Sequence, residues 1–160
     1  MRDSPLVEYL IGHQKDRAMM AALRRGLGKK EGHVVMYPYV VPYLPEKPFG
    51  KEWIYFTVAA LFGYHHDPLA KNVDIGRAMS RLEQNDSLQK RFTWLLDADT
   101  QELPMRLKSI VSLLKSKNIG IDYTLLFDDL YHWDHPEKFV QLRWARHFYG
   151  SYIQDQTTKE

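Results

Sequence analysis

Apolar residues recur with helical spacing through most of the chain. Leu88, Phe92 and Leu95 lie four and three residues apart, which places them on one side of an α-helix. Leu103, Leu107 and later apolar residues repeat the pattern, with lysine and serine on the opposite side. The spacing predicts eight helices, over residues 5–13, 15–27, 51–65, 74–83, 86–96, 100–118, 122–132 and 136–153.

Residues 34–48 depart from this pattern. Spaced prolines interrupt an apolar, tyrosine-rich stretch and exclude a long helix there. We therefore expect an extended connection packed on the surface of a helical bundle. The polar stretch 82–87 is the best boundary between two bundles. The predicted fold is all-α, with an N-terminal helical bundle over 1–85 and a C-terminal one over 86–160.

The apolar sides of consecutive helices also predict which residues meet in the core. Matching stripes on neighbouring helices pack against each other to exclude water. We expect four residues of the 100–118 helix to pack in one core with four from the flanking helices: Leu107, Ile110, Val111 and Leu114 with Phe92, Leu95, Trp144 and Phe148.

Composition narrows the class of protein. The 160 residues are 44% hydrophobic and 26% charged, which is a globular rather than a disordered composition. The absence of cysteine excludes disulfides and thiolate chemistry. No apolar run approaches the roughly 20 residues that cross a bilayer. We expect a cytoplasmic protein with no membrane association.

Charge is segregated along a chain whose net charge is only +2. Residues 13–34 carry six Lys or Arg against two acids, and residues 71–118 carry nine against six. Residues 119–137 carry five acids and no Lys or Arg. Such a distribution can create a strongly positive surface on a nearly neutral molecule.

Catalytic motifs are absent from the sequence. It contains no phosphate-binding glycine loop and no nucleophile elbow. The histidine pairs His65/His66 and His132/His135 lack the spacing that directs two imidazoles to one metal ion. The acid pairs Asp97/Asp99 and Asp128/Asp129 are better interpreted as helix-end or solvated residues than as nuclease ligands. We predict no metal, no cofactor and no enzymatic activity.

Basic residues beside the apolar stripes are the strongest functional signal. Rigid helices would hold their charged groups at fixed positions, which suits contact with phosphate. We predict a nucleic-acid-binding surface formed by Arg24, Arg25, Arg77, Arg81, Lys90, Arg91, Lys108, Arg143 and Arg146. Arg146 could instead pair with Asp128 or Asp129.

An ordered series of short motifs resembles one protein family. The series comprises AALRRGLG at 21–28, IGRAM at 75–79, KRFTWLLDAD at 90–99, ELP at 102–104, IDY at 121–123, WAR at 144–146 and FY at 148–149. In this order the motifs resemble the CasB family, the small subunit of the type I-E CRISPR surveillance complex, Cascade. Lys90 and Lys108 stand where the family pattern usually has arginine, which would weaken bidentate phosphate contact.

The resemblance implies a non-enzymatic subunit present as a pair in an RNA-guided complex. The implied partners are CRISPR RNA, both strands of target DNA, a second copy of the chain, and other Cascade subunits including the backbone and large subunits. The implied role is to stabilise the guide RNA–target hybrid and the displaced DNA strand in antiviral defence. Contact with nucleic-acid backbone suffices for this role, because base pairing supplies the sequence specificity.

Two other classes of function stay open at this point. A helical scaffold that binds only protein would use aromatic residues in place of the arginines, namely Tyr37, Tyr39, Tyr43, Trp133 and Tyr152. A helical nuclease would use the acid pairs with a divalent metal. Salt dependence of binding separates the first from a phosphate-binding protein.

Overall fold

The computed structural model describes the backbone of residues 4–47 and 49–158 and the side chains as far as Gly150. Over these residues the structure is helical and contains no β-strand. The helices are α1 Pro5–Gly12, α2 Arg17–Arg24, α3 Tyr37–Val40, α4 Glu52–Tyr64, α5 Ile75–Ser80, α6 Asp86–Leu96, α7 Leu103–Ser116, α8 Tyr123–Tyr131 and α9 Phe139–Thr158. The all-α prediction is confirmed. The side chain of Tyr152 lies outside the described residues.

The expected extended connection at residues 34–48 is wrong. The chain there forms a 3₁₀ turn Val34–Met36, the short helix α3 and a second 3₁₀ turn Val41–Tyr43. Pro38 and Pro42 each fall in the first turn of a short helical piece, where a missing N–H costs nothing. The prolines therefore limit the length of these helices without preventing them.

Side-chain caps set where several helices begin. Asp16 accepts a hydrogen bond from the Met19 amide, and Asn85 accepts one from the Leu88 amide, so α2 and α6 start directly after them. The final helix begins at Phe139 rather than near Pro136, because Lys138 has a positive φ of 52° that no α-helix accommodates.

The predicted core is confirmed, since the eight residues expected to meet in it are all buried in one hydrophobic cluster. Phe92 of α6 stacks on Phe148 of α9 with ring centroids 4.2 Å apart. Leu107, Ile110, Val111 and Leu114 of α7 are each fully buried.

Helix α4 lies at the centre of the fold. Ten of its residues are buried, and it contacts α2, α7 and α8. Helix α5 packs on α9 so closely that a Cβ added to Gly76 would lie 2.1 Å from the Trp144 carbonyl oxygen. These contacts cross the predicted boundary between residues 1–85 and 86–160, and the division into two domains stays a prediction.

Candidate nucleic-acid interface

Three adjoining depressions lie along helices α6 and α7, and Arg91 lines all of them. Their volumes are about 220, 490 and 410 Å³. Lys117, Lys108 and Lys90 each line one depression. We call these depressions together the Arg91 groove. It brings four cationic side chains to one face of the molecule.

Helix α6 supplies Arg91 because its two sides have opposite character. Leu88, Phe92 and Leu95 are buried, whereas Lys90 and Arg91 are exposed. The buried stripe anchors the helix, so the charges next to it are held on a rigid element. Trp94, one turn after Lys90, is also exposed and lines the groove.

Helix α7 supplies the opposite wall. Lys108 and Ser112 are exposed there, four residues apart. The Tyr64 hydroxyl donates a hydrogen bond to Ser112 Oγ at 3.0 Å, and Lys115 donates one to the Tyr64 carbonyl at 2.8 Å. The ammonium of Lys115 also lies 4.1 Å from the centroid of the Tyr64 ring. These contacts fix α7 to the end of α4.

The loop after α2 adjoins the groove through Lys108. Gly28 has a positive φ of 79°, and a Cβ added there would lie 2.9 Å from Cδ of Lys108. The aliphatic stem of Lys108 therefore packs on the Gly28 backbone. Arg24 and Arg25 are exposed at the end of α2, just before this contact. They add two exposed cations to the segment that precedes Gly28.

The cations of this region are not paired with the acids that the structure describes. Among the side chains described, none of Arg24, Arg25, Lys90, Arg91, Lys108 and Lys117 forms an ion pair. The lining residues also include the hydroxyls of Ser87, Ser109, Ser112 and Ser116, against the single carboxylate of Glu83. Cations and hydroxyls in this combination suit phosphate oxygens as ligands.

Arg77, Arg81 and Arg146 lie elsewhere. Arg81 and Arg146 are exposed and Arg77 is half-buried, but none of them lines the Arg91 groove. Arg77 lies on α5, Arg81 directly follows α5, and Arg146 lies near the middle of α9. Helices α5 and α9 pack against each other. We call these three residues the second basic group.

Arg143 differs from the other predicted residues, because its side chain is half-buried and its guanidinium pairs with two acids. It pairs with Asp129 of α8 and with Asp74 before α5, the latter at 3.3 Å. Both carboxylates are buried, and Trp144 Nε1 and His147 Nδ1 also bond to them at 2.8 and 2.5 Å. The pairing expected for Arg146 is thus made by Arg143 one helical turn earlier. Arg143 therefore links α5, α8 and α9 through these two acids.

Burial governs the ionisation of this cluster. It raises the pKa of Asp129 to about 6, although hydrogen bonds from Arg143 and Trp144 act to lower it. Burial also opposes the charge on Arg143, but Asp129 and Asp74 outweigh it and raise the pKa of the guanidinium. At neutral pH the carboxylate and the guanidinium are therefore a charged pair.

Members of the histidine and acid pairs form hydrogen bonds with the backbone. His65 is buried and donates from Nε2 to the Ile119 carbonyl at 2.6 Å, while Asp99 accepts from the amides of Gln101 and Glu102. Within the described residues no group of three His, Asp or Glu side chains could hold a metal ion. No helix in this part of the chain is long and apolar enough to cross a membrane.

Sequence reasoning missed Trp94 and Lys117 as members of this site. Trp94 lies within the motif at 90–99. It lies off the stripe formed by Phe92 and Leu95 and one turn after the exposed Lys90, and this position indicates exposure. Lys117 follows the last residue of α7, and only the fold shows that it lines the same depression as Arg91.

Comparison with known proteins tests the resemblance. The family model described as CRISPR-associated protein Cse2 matches residues 19–149. The chain belongs to the Cse2 (CasB) family. A Cse2 protein of Thermus thermophilus is 34% identical over 96% of this chain and 92% of its own length. The resemblance inferred from the ordered motifs is therefore confirmed.

Solved structures of the Cse2 family share the fold. The crystal structure of CasB from Thermus thermophilus has 32% identity and a TM-score of 0.78, covering 92% of this chain and 99% of its own. That of M. ruber CasB has 30% identity and a TM-score of 0.81, covering 97% and 96%. A chain of a CRISPR RNA-guided surveillance complex superposes with a TM-score of 0.81 and 22% identity, covering 97% of this chain and 95% of its own. At this identity the likeness is one of fold alone.

Proposed function

We propose that this chain is a non-catalytic subunit of an RNA-guided, type I-E Cascade complex and that it binds nucleic-acid backbone through the Arg91 groove. The observation that carries the proposal is the convergence of Lys90, Arg91, Lys108 and Lys117 on one groove, where none of them pairs with a described acid. Its partners in this role are CRISPR RNA, the two strands of target DNA, other Cascade subunits and a second copy of itself.

The chemistry of the groove favours sequence-independent contact. Lysine ammonium groups and serine hydroxyls bind phosphate oxygens equally well whatever the base. Arg91 can bind one phosphate through two parallel hydrogen bonds, which fixes the position of the strand more firmly than a lysine does. In the complex, base pairing with the guide reads the sequence and this subunit holds the opened strands.

Arg24 and Arg25 extend the binding surface beyond the groove. Both are exposed and lie four and three residues before Gly28, whose backbone contacts Lys108 of the groove. Arg77, Arg81 and Arg146 form a second basic group at α5 and α9. We infer that this second group contacts a different strand or a different stretch of the same one.

The test is charge reversal in the groove. Arg91→Glu with Lys108→Glu should weaken binding to all sequences alike and make the salt dependence shallower by about one unit of slope for each phosphate that is no longer bound. Lys71→Glu with Lys138→Glu changes the charge equally at exposed positions outside the groove and serves as the matched control. Wild-type affinity and slope for the groove variant would show that the phosphates bind elsewhere.

A separate experiment tests the second basic group, Arg77, Arg81 and Arg146. Arg77→Glu with Arg81→Glu, in the assembled complex, should loosen retention of one of the opened strands while leaving the other at wild-type strength. If the variant retains both strands as strongly as the wild type does, α5 is not part of the binding surface. A thermal melt of each variant checks that the fold is intact.

A helical scaffold that contacts only protein is the second candidate. An apolar surface at the α3 region favours it, because Val34, Val35, Tyr37 and Val41 are 64, 37, 46 and 44% exposed. Of the aromatic residues predicted to serve that role, however, Trp133 is buried. Binding of nucleic acid that does not weaken with salt, or no binding at all, would favour the scaffold.

A further inference from the structure

Trp94 is the exposed member of a group of four tryptophans. Trp53, Trp133 and Trp144 are 7, 3 and 0% exposed, whereas Trp94 is 36% exposed. An indole in water forgoes the burial free energy that usually keeps tryptophan inside a protein. About a third of its surface is available for contact with a ligand.

The surroundings of Trp94 indicate what kind of ligand it could contact. It lines the third depression of the Arg91 groove together with Ser87, Lys90, Arg91 and Ser109. Lys90 and Arg91 precede it by four and three residues on α6, so both project from the same side of the helix. An aromatic ring thus lies directly beside two cations that suit phosphate.

Arg106 holds Trp94 in place. Its guanidinium lies 5.1 Å from the centroid of the indole, and its Nη1 donates to the Trp94 carbonyl at 2.5 Å. Glu102 forms an ion pair with the same guanidinium, so Arg106 is occupied and fixed. The guanidinium lies over one ring face, and the indole keeps a solvent-exposed part that lines the groove.

We propose that Trp94 stacks on an unpaired base and makes the Arg91 groove selective for single-stranded nucleic acid. Proteins that bind single strands combine a cationic groove with an aromatic ring, because every base has a π face and stacking requires no particular sequence. The bases of a duplex are stacked on each other and do not reach the indole. This proposal rests on the proposed function, since the cations supply the attachment to which stacking adds.

The test compares three ligands on the full chain: a short oligothymidylate, an abasic oligonucleotide of the same length, and a duplex. Trp94→Ala should lower the affinity for the oligothymidylate by about 5- to 150-fold, the range of base–aromatic stacking. Affinity for the abasic strand and the duplex, and the salt slope, should stay at wild-type values. Trp94→Phe should retain most of the affinity, because phenylalanine also stacks.

Fluorescence gives a second readout. Because the other three tryptophans are buried, oligothymidylate should quench the emission of Trp94 selectively, and Trp94→Phe should abolish the quenching. Tyr37→Ala, which replaces an exposed aromatic residue outside the groove, is the control and should bind as the wild type does.

The outcomes separate this proposal from the broader one. If Trp94→Ala binds oligothymidylate normally, or weakens all three ligands equally, stacking at Trp94 is wrong, while loss of binding by the Arg91→Glu, Lys108→Glu variant still supports the groove. If the wild-type chain shows no salt-dependent binding of any ligand, both proposals are overturned.

Discussion

Replacing Arg143 with methionine distinguishes a structural role for this residue from a role in binding. Methionine keeps the aliphatic stem and removes the charge that faces Asp74 and Asp129, whose side chains are 0 and 1% exposed. Removing one partner of a buried ion pair costs about 3–5 kcal/mol. The Arg143 side chain is itself 32% exposed, so water partly replaces it and we expect the lower end, about 3 kcal/mol.

That cost is large enough to measure by thermal unfolding. For a chain of this size each kcal/mol lowers Tm by about 2–4 °C, so Arg143→Met should lower Tm by roughly 6–12 °C in a circular dichroism melt at about pH 7.5. Asp129→Asn combined with Arg143→Met should cost less than the sum of the two single changes, because the second removes the charge stranded by the first. Nucleic-acid affinity, measured well below Tm, should be unchanged.

Arg146→Met is the matched control. Arg146 lies three residues later on α9 and is exposed, so its replacement should alter stability by no more than about 0.5 kcal/mol. The reasoning is refuted if Arg143→Met melts as the wild type does and shows a shallower salt dependence of binding. That result would return Arg143 to the phosphate-binding surface.

Two further predictions concern the core and acid stability. Leu107→Ala should cost about 2–5 kcal/mol by urea unfolding, as for buried leucines generally, and a cost well under about 1 kcal/mol would show that α7 is packed differently from the structure. Burial lowers the pKa of His65 in the folded protein. The unfolded chain therefore takes up this proton at a higher pH than the folded protein does, and the stability of the fold decreases as the pH drops below about 6.5. The raised pKa of Asp129 has the opposite effect. Between about pH 6 and pH 4 the folded protein binds this proton more readily than the unfolded chain does, so this group adds stability as the pH falls. His65→Gln should therefore reduce the stability lost between about pH 7 and pH 5, and an unchanged pH profile would contradict this.

The sequence predicted the helices well because each carries an apolar stripe whose period is a local property. Residues 34–48 were mispredicted because proline excludes a long helix but not a short one. The outcome there depended on where Pro38 and Pro42 fell within each turn. Met36 and Val40 are buried, and that packing favours the compact form over an extended one.

The candidate site was predictable only in part. Lys90, Arg91 and Lys108 were identifiable as exposed because they lie off the apolar stripes of their own helices. Arg143 lies equally far off its stripe, yet two carboxylates from outside α9 surround it. Pairing between α5, α8 and α9 is a property of the tertiary fold. No pattern within α9 distinguishes Arg143 from Arg146.

The packing of Lys108 on Gly28 has a consequence for the entropy of binding. A lysine side chain in solution samples many rotamers, and immobilising one on a ligand costs about 0.5–1.5 kcal/mol. The stem of Lys108 already rests on the Gly28 backbone, in space that any β-carbon at position 28 would fill. Part of that conformational cost is therefore met when the protein folds. A glycine distant along the chain thus helps to determine where the ammonium group of Lys108 lies in the folded protein.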